Sequence, residues 1–271
     1  MPSRSGDVPE ATTEFAMETA LTREWVISEL EFLASFEHAL CVEYLVIHCA
    51  LGHDQAPPDP GDVAQRVSEA AALASAVSQD EMRHLHGVNR VLVAADRTPC
   101  VARAVSITGD AGSELPLVPP RLAEADHFLE RLRAVAAAVD ARYAQLRRAL
   151  DPEDAVLNDA AREQLSFLLD PAPDHRAPVE TLAAKLEGLA PQQYLRATRH
   201  EPAGELERRL LMLSDSHYGL VVATVEAWLA NEDRLGGVLR GRSMSLMDGV
   251  NEINGVLVER GLMPPFTQVQ P

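Results

Sequence analysis

Apolar side chains recur every three or four residues through most of this chain, which is the spacing of helices that bury one face. In the first stretch these residues are Leu30, Leu33, Leu40, Tyr44 and Ile47. The pattern predicts four long helices and a shorter fifth one, at about 21–52, 62–95, 121–150, 203–232 and 243–260. Thr22 is expected to cap the first helix, because its hydroxyl can accept a hydrogen bond from an amide of the first turn.

Two irregular segments separate the predicted helices. The connection 97–120 contains four prolines and is long for a loop between helices, so it predicts a crossover along a bundle. The segment 151–202 contains six prolines and predicts an insertion with short helices at about 155–168 and 179–189, which would close one end of the bundle. Leu235-Gly236-Gly237 predicts a break before the last helix.

These elements predict an all-α fold, in which a four-helix bundle carries an extra C-terminal helix and an insertion between core helices three and four. Residues 1–20 are polar and are expected to form a disordered tail. Residues 21–265 are expected to form a single domain that includes the insertion 151–202.

The composition of the chain excludes some classes of partner and location. The formal net charge of -17 disfavours nucleic acid and anionic membrane surfaces as partners. No apolar run reaches the roughly 18 residues of a membrane span, and the N-terminal residues lack the apolar core of a secretion signal. Cys41 and Cys49 are about 12 Å apart along one predicted helix, too far for a disulfide. We therefore expect a reduced, cytoplasmic protein; a homodimer is left open.

Charged side chains at the middles of three predicted helices point to a metal site. Glu81 and His84 are three residues apart, so they share a helix face, and Glu37 lies on the apolar stripe of the first helix. His217 interrupts an apolar run in the fourth helix. Each residue taken alone could instead lie at a solvated face or be a satisfied core group. Together they predict a metal site inside the bundle, because antiparallel helices bring their middles to one level.

The motifs around these residues resemble the ferritin-like domain of the iminophenylpyruvate dimer synthase type. The resemblance rests on Phe36-Glu37-His38-Ala39, on Asp80-Glu81-Met82-Arg83-His84-Leu85, and on the residues Asn89, Leu92 and Pro99 that follow. His217-Tyr218 resembles the His-Tyr pair of the family's fourth core helix. The resemblance covers helices one, two and four well and helix three poorly.

The resemblance implies a ligand set with two departures. Glu37, Glu81, His84 and His217 match the superfamily's ligands, but its third-helix Glu falls on Ala141 and its fourth-helix Glu falls on Ser214. Asp140 and Asp215 are adjacent, yet a shift of one residue rotates a helical side chain by roughly 100°. A second Glu-x-x-His pair, Glu124 and His127, lies among charges and is expected at the surface.

The resemblance also implies a function. The expected protein is a non-haem iron oxidase or oxygenase that acts on a small organic substrate in a natural-product pathway. Its metal would be one or two iron ions, with manganese as an alternative, held by Glu37, Glu81, His84 and His217. A metal-free acid–base catalyst or small-molecule binder of the same fold is the alternative. Iron storage is disfavoured because two acidic ligands are missing.

Overall fold

The computed structural model describes residues 21–52, 61–108, 114–117, 125–151 and 156–267. The predicted disordered tail, 1–20, lies outside them. In these ranges the long helices are α1 (Arg23–Ala50), α2 (Asp62–Ala94), α3 (Ala125–Leu146), α7 (Glu205–Ala230) and α8 (Glu232–Glu259). The short elements are β1 (Ser106–Thr108), β2 (Glu114–Pro116), a 3₁₀ turn (Arg147–Leu150), α4 (Asp159–Leu168), α5 (Arg176–Leu186) and α6 (Pro191–Tyr194). The all-α prediction is confirmed.

Helix α1 is the centre of the fold. Thr22 caps it as predicted, since its Oγ1 accepts a hydrogen bond from the Trp25 amide at 3.1 Å. The helix is followed by Gly52, whose φ of +111° a side chain would disfavour. Most of its residues are buried around the whole circumference, including Phe36 and Glu37 at 0% exposure. A helix buried on all sides must therefore satisfy each of its polar side chains inside the protein.

The other helices form two groups around α1. Helix α2 runs antiparallel along α1, with Arg23 donating to the Ala95 carbonyl at one end and His48 bonded to the Ala71 carbonyl at the other. Helices α4 and α5 pack on α2, and α5 also packs on α3. Helices α7 and α8 pack chiefly against each other as an antiparallel hairpin. No described helix is long and apolar enough to cross a membrane.

The structure adds one local feature that the sequence did not predict and contradicts one local prediction. The connection 97–120 contains a short antiparallel pair, β1 with β2, in which Ile107 faces Leu115. The Gly236-Gly237 pair lies inside α8, and the helix boundary is at Asn231 instead. A Cβ at Gly236 would stand 3.7 Å from Nε1 of Trp228 in α7. Helix α8 thus continues through both glycines although each lowers helix propensity by about 1 kcal/mol relative to alanine.

Candidate metal centre

Three of the predicted residues meet in the interior. Glu37 projects from the middle of α1 with 0% of its surface exposed, and Glu81 projects from α2 with 2% exposed. One helical turn after Glu81, His84 turns its Nδ1 to Glu81 Oε2 at 2.8 Å and to Glu37 Oε2 at 3.5 Å. The shared face of positions 81 and 84 thus points at α1 as expected.

The fourth member of the group is His175, which sequence reasoning missed. It is the N-cap residue of α5, inside the segment predicted to be an insertion. Its Nε2 lies 3.5 Å from Glu37 Oε1 and 3.4 Å from Glu81 Oε2. The local sequence, Asp174-His175 before a short helix, carries no helical spacing that would have marked it. The insertion does more than cover the bundle, because it contributes a side chain to its centre.

Asp140 fixes the orientation of His175. The Asp140 Oδ1 atom accepts from His175 Nδ1 at 2.7 Å and from the His175 backbone amide at 3.2 Å. With Nδ1 engaged in this way, Nε2 is the ring nitrogen that faces the two glutamates. Asp140 therefore does not take the place of the missing third-helix glutamate; it positions a histidine that does reach the group.

The donor atoms of the four side chains lie within 4.8 Å of one another. We call Glu37, Glu81, His84 and His175 the Glu/His cluster. Two of its buried atoms, Glu37 Oε2 and His175 Nε2, make no hydrogen bond within the described residues. Buried polar atoms without partners are costly, so the geometry fits a cation held between them. The cluster can therefore hold a metal ion.

The close approach of these four side chains shifts the pKa values of three of them. Burial lowers the pKa of His84, but Glu37 and Glu81 together raise that pKa to about 9. Burial likewise opposes a charged His175, and Glu37, Asp140 and Glu81 raise its pKa well above the usual value. Burial raises the pKa of Glu37, but His175 and His84 hold it below its usual range. Two glutamates thus create a site for positive charge, which either protons on the imidazoles or a metal ion can supply.

Buried groups with low polarity surround the Glu/His cluster. The Tyr143 hydroxyl donates to Glu37 Oε1 at 2.6 Å, and its ring stacks on His175 at 5.8 Å between centroids. Cys41 Sγ contacts Ser78 Oγ at 3.3 Å, and burial raises the pKa of Cys41 to about 12. Cys41 therefore remains a neutral thiol. The most accessible member is His84, with 26% of its side chain exposed, so solvent reaches the cluster beside that ring.

The structure does not bring His217 to the other predicted ligands. Its Nδ1 lies 3.1 Å from the carbonyl oxygen of Leu213 in its own helix, and its ring lies against Gly249 of α8. Helix α7 instead turns Tyr218 toward α1, where the hydroxyl bonds to His38 Nε2 at 2.7 Å. A one-residue step separates His217 from Tyr218, and the rotation of roughly 100° that it causes directs His217 to α8.

The remaining predicted polar residues have ordinary partners. Ser214 Oγ bonds to Asn254 Oδ1 at 2.7 Å, and Asp215 accepts from the Thr267 amide at 2.9 Å. His127 is exposed beside Glu130, as expected for the second Glu-x-x-His pair, whereas Glu124 lies outside the described residues. Tyr44 and His48, which roughly follow Glu37 along α1, are both buried, and His48 bonds to the Ala71 carbonyl.

Comparisons with known proteins bear on the fold. No protein-family description matches the sequence. No curated protein matches it either. Among solved structures, the chain is similar to a ferritin-like protein from Caulobacter vibrioides, with a TM-score of 0.62 and 14% identity over 93% of this chain and 100% of that one. At this identity the likeness concerns backbone architecture, and it shows that the chain has a ferritin-like fold.

Proposed function

We propose that this chain is a ferritin-like metalloenzyme whose Glu/His cluster holds a divalent metal ion. The observation that carries the proposal is that two buried atoms of the cluster, Glu37 Oε2 and His175 Nε2, make no hydrogen bond within the described residues, although the four side chains bring their ligand atoms within 4.8 Å of one another. Two carboxylates and two imidazoles suit iron, with manganese as an alternative. Four protein ligands favour one ion over two, because a second ion would need more bridging carboxylates.

The proposed activity is that of a non-haem iron oxidase or oxygenase acting on a small organic substrate. Bound ferrous iron would supply redox chemistry toward dioxygen. The natural-product pathway and the organic substrate rest on the resemblance of the α1 and α2 motifs to the iminophenylpyruvate dimer synthase type.

The residues of the chain have definite tasks in this proposal. Asp140 holds the His175 ring so that Nε2 faces inward, and the Tyr143 hydroxyl holds the Glu37 carboxylate. Burial of Glu37, Glu81 and His175 keeps bulk water away from three of the four ligands. Only His84 borders solvent, so substrate is expected to approach beside that ring.

The test is metal analysis of the full chain, purified without chelator and then titrated anaerobically with ferrous ion. One ion per chain is expected, and it should be lost in Glu81→Ala and in His175→Ala. The matched control is His217→Ala, which removes the same side chain from α7 and should leave the stoichiometry unchanged. Oxygen consumption by the loaded protein, absent in the ligand variants, would then test the oxidase or oxygenase activity.

Other outcomes distinguish the alternatives. If the wild-type chain binds no metal even after loading, the metalloenzyme proposal fails. The metal-free alternative, an acid–base catalyst or binder using Glu37, Glu81 and His84, then becomes the better hypothesis. If His217→Ala abolishes binding as well, the Glu/His cluster alone does not account for the metal site.

A further inference from the structure

The outer face of the α7–α8 hairpin is unusually apolar. Within the described residues, most of the exposed large apolar side chains belong to these two helices, among them Leu213 at 44%, Leu220 at 53%, Val238 at 73% and Val256 at 40%. Leu213 and Leu220 lie about one turn on either side of His217, whose ring contacts Gly249. The His217 contact therefore places the segment of α7 that carries Leu213 and Leu220 beside the part of α8 around Gly249.

Helix α8 presents a coiled-coil spacing on this surface. Six residues separated alternately by four and three positions follow one side of the helix: Val238, Arg242, Ser245, Glu252 and Val256, which are exposed, and Gly249, which is half-buried beside the His217 ring of α7. We call this set the α8 seam. Residues at this spacing lie along the one side of a helix that a second helix can pack against. In α8 the two end positions are valines and the positions next to them are charged. The opposite face of α8 is the one that packs into the protein, with Ser243, Val250, Asn254 and Leu257 buried.

The α8 seam is complementary to itself when read in the reverse direction. If two copies of α8 pair antiparallel about Met247, Val238 lies opposite Val256, Arg242 opposite Glu252, and Ser245 opposite Gly249. The same two-fold arrangement places Gly241, which has open space around its Cα, opposite the half-buried Ile253. Such reciprocity, in which residue i contacts j and j contacts i, is what an interface between two identical chains requires.

We propose that the chain forms a two-fold homodimer through antiparallel pairing of the α8 seams. Ser245 at its centre is small and exposed, and the His217 ring beside Gly249 flanks the same part of the surface. From Val238 to Val256 the seam is about 27 Å long at 1.5 Å per residue.

Charge complementarity identifies the occupant as a second copy. Within the described residues Arg242 and Glu252 form no ion pair, and they are about 15 Å apart along the same helix, too far to meet each other. Two copies of a chain with net charge -17 repel each other overall, so a dimer needs attraction at its interface. Antiparallel pairing supplies it twice, because each Arg242 meets the partner's Glu252.

A charge-exchange experiment on the full chain tests this dimer by sedimentation velocity over a range of concentrations. The wild-type chain is expected at twice its mass of 29.5 kDa. Arg242→Glu and Glu252→Arg each place like charges opposite one another, so each should raise the dimer Kd at least about tenfold. An equimolar mixture of the two variants should restore the dimer, because each variant then meets its complement. The double variant that carries both Arg242→Glu and Glu252→Arg should also form the dimer by itself.

The matched control is Arg240→Glu, which makes the same charge change at an exposed residue on another side of α8. It should leave the dimer Kd within about threefold of the wild-type value, since surface charges off the interface contribute little. The proposal is overturned by a monomeric wild-type chain at every concentration, by single variants that stay dimeric, or by failure of the mixture to reassociate. Metal stoichiometry should be the same in all these variants, so the test is independent of the proposed function.

Discussion

The glutamates of the Glu/His cluster and the polar residues of α7, Ser214, Asp215 and His217, look alike in the sequence but differ in their surroundings. Both interrupt apolar runs at the middle of a long helix. In the cluster, Glu37, Glu81 and His175 are buried, and two atoms of the cluster lack hydrogen bonds within the described residues. In α7 the buried member is the neutral Ser214, which bonds to Asn254, while Asp215 and His217 lie nearer the surface.

The difference shows what a polar residue in an apolar run means. A neutral hydroxyl and amide satisfy each other across a helix hairpin and contribute about 1 kcal/mol. Buried carboxylates need a neighbouring positive charge. In the Glu/His cluster, His175 can supply it, although it lies far from Glu37 and Glu81 in the sequence. Buried charged side chains whose polar atoms lack hydrogen bonds therefore indicate a ligand site. A polar residue in an apolar stretch of helix is not by itself sufficient evidence for one.

The largest expected effect that separates the two regions concerns their aspartates. Asp140→Asn should lower the affinity for the metal by about 10- to 100-fold, because the charged carboxylate that orients the His175 ring becomes a neutral amide, a weaker acceptor that can also present its NH2 group to the ring. Asp215→Asn makes the same change in α7, where the carboxylate bonds only to Thr267 among the described residues, and should leave the affinity unchanged. The metal affinity of both variants is measured by calorimetry during titration with ferrous ion. Equal effects of the two variants would contradict the assigned role of Asp140.

An intermediate effect is expected from pH in the metal-free protein. The pKa of His84 is about 9 in the folded chain and about 6.5 when unfolded. A raised pKa stabilises the fold fully below pH 6.5, and this contribution is lost as pH rises through 9. We expect the free energy of unfolding to fall by about 1–3 kcal/mol across this window. Urea denaturation of chelator-treated protein at several pH values measures the change.

The control for this prediction is Glu81→Gln, which removes one of the two charges that raise the pKa of His84. The decrease in stability between pH 6.5 and 9 should become smaller in that variant. His217→Ala, in contrast, should leave the pH dependence as it is in the wild-type chain. An unchanged slope in Glu81→Gln would show that other groups carry the pH dependence.

The smallest expected effect compares the same glycine-to-alanine substitution in α2, which carries Glu81 and His84, and in α8, which packs against α7. A Cβ at Gly87 would stand 2.9 Å from Leu168 Cδ1, at the contact between α2 and α4, so Gly87→Ala requires Leu168 to move. Its gain in helix propensity is then offset by strain, and no net stabilisation is expected. Gly237→Ala in α8 meets no atom within 4 Å and should stabilise the fold by about 0.5–1 kcal/mol. Thermal denaturation distinguishes the two, and stabilisation by both would show that the α2–α4 contact is loose.

Much of the fold was predictable because helices are local. The spacing of apolar residues located α1, α2 and α7 to within a few residues, and Thr22 caps α1 as expected. The boundary between α7 and α8 was not predictable in the same way. The two glycines predict a break, but α8 continues through them, and the break lies at Asn231, which carries no periodic signal.

The sequence by itself determined that Glu37 lies on a buried helix face and that Glu81 and His84 project together, because both follow from helical geometry. Only the tertiary structure decided which imidazole completes the group. His175 arrives with a short helix that packs on α2 and α3, and its direction depends on Asp140, 35 residues away in the chain. His217 was an equally good candidate ligand by its position in a helix. Helix α7 pairs with α8, however, so the His217 ring lies against α8 and not in the cluster. Long-range packing sets such choices, because the cost of leaving buried charges uncompensated is felt only once the helices are assembled.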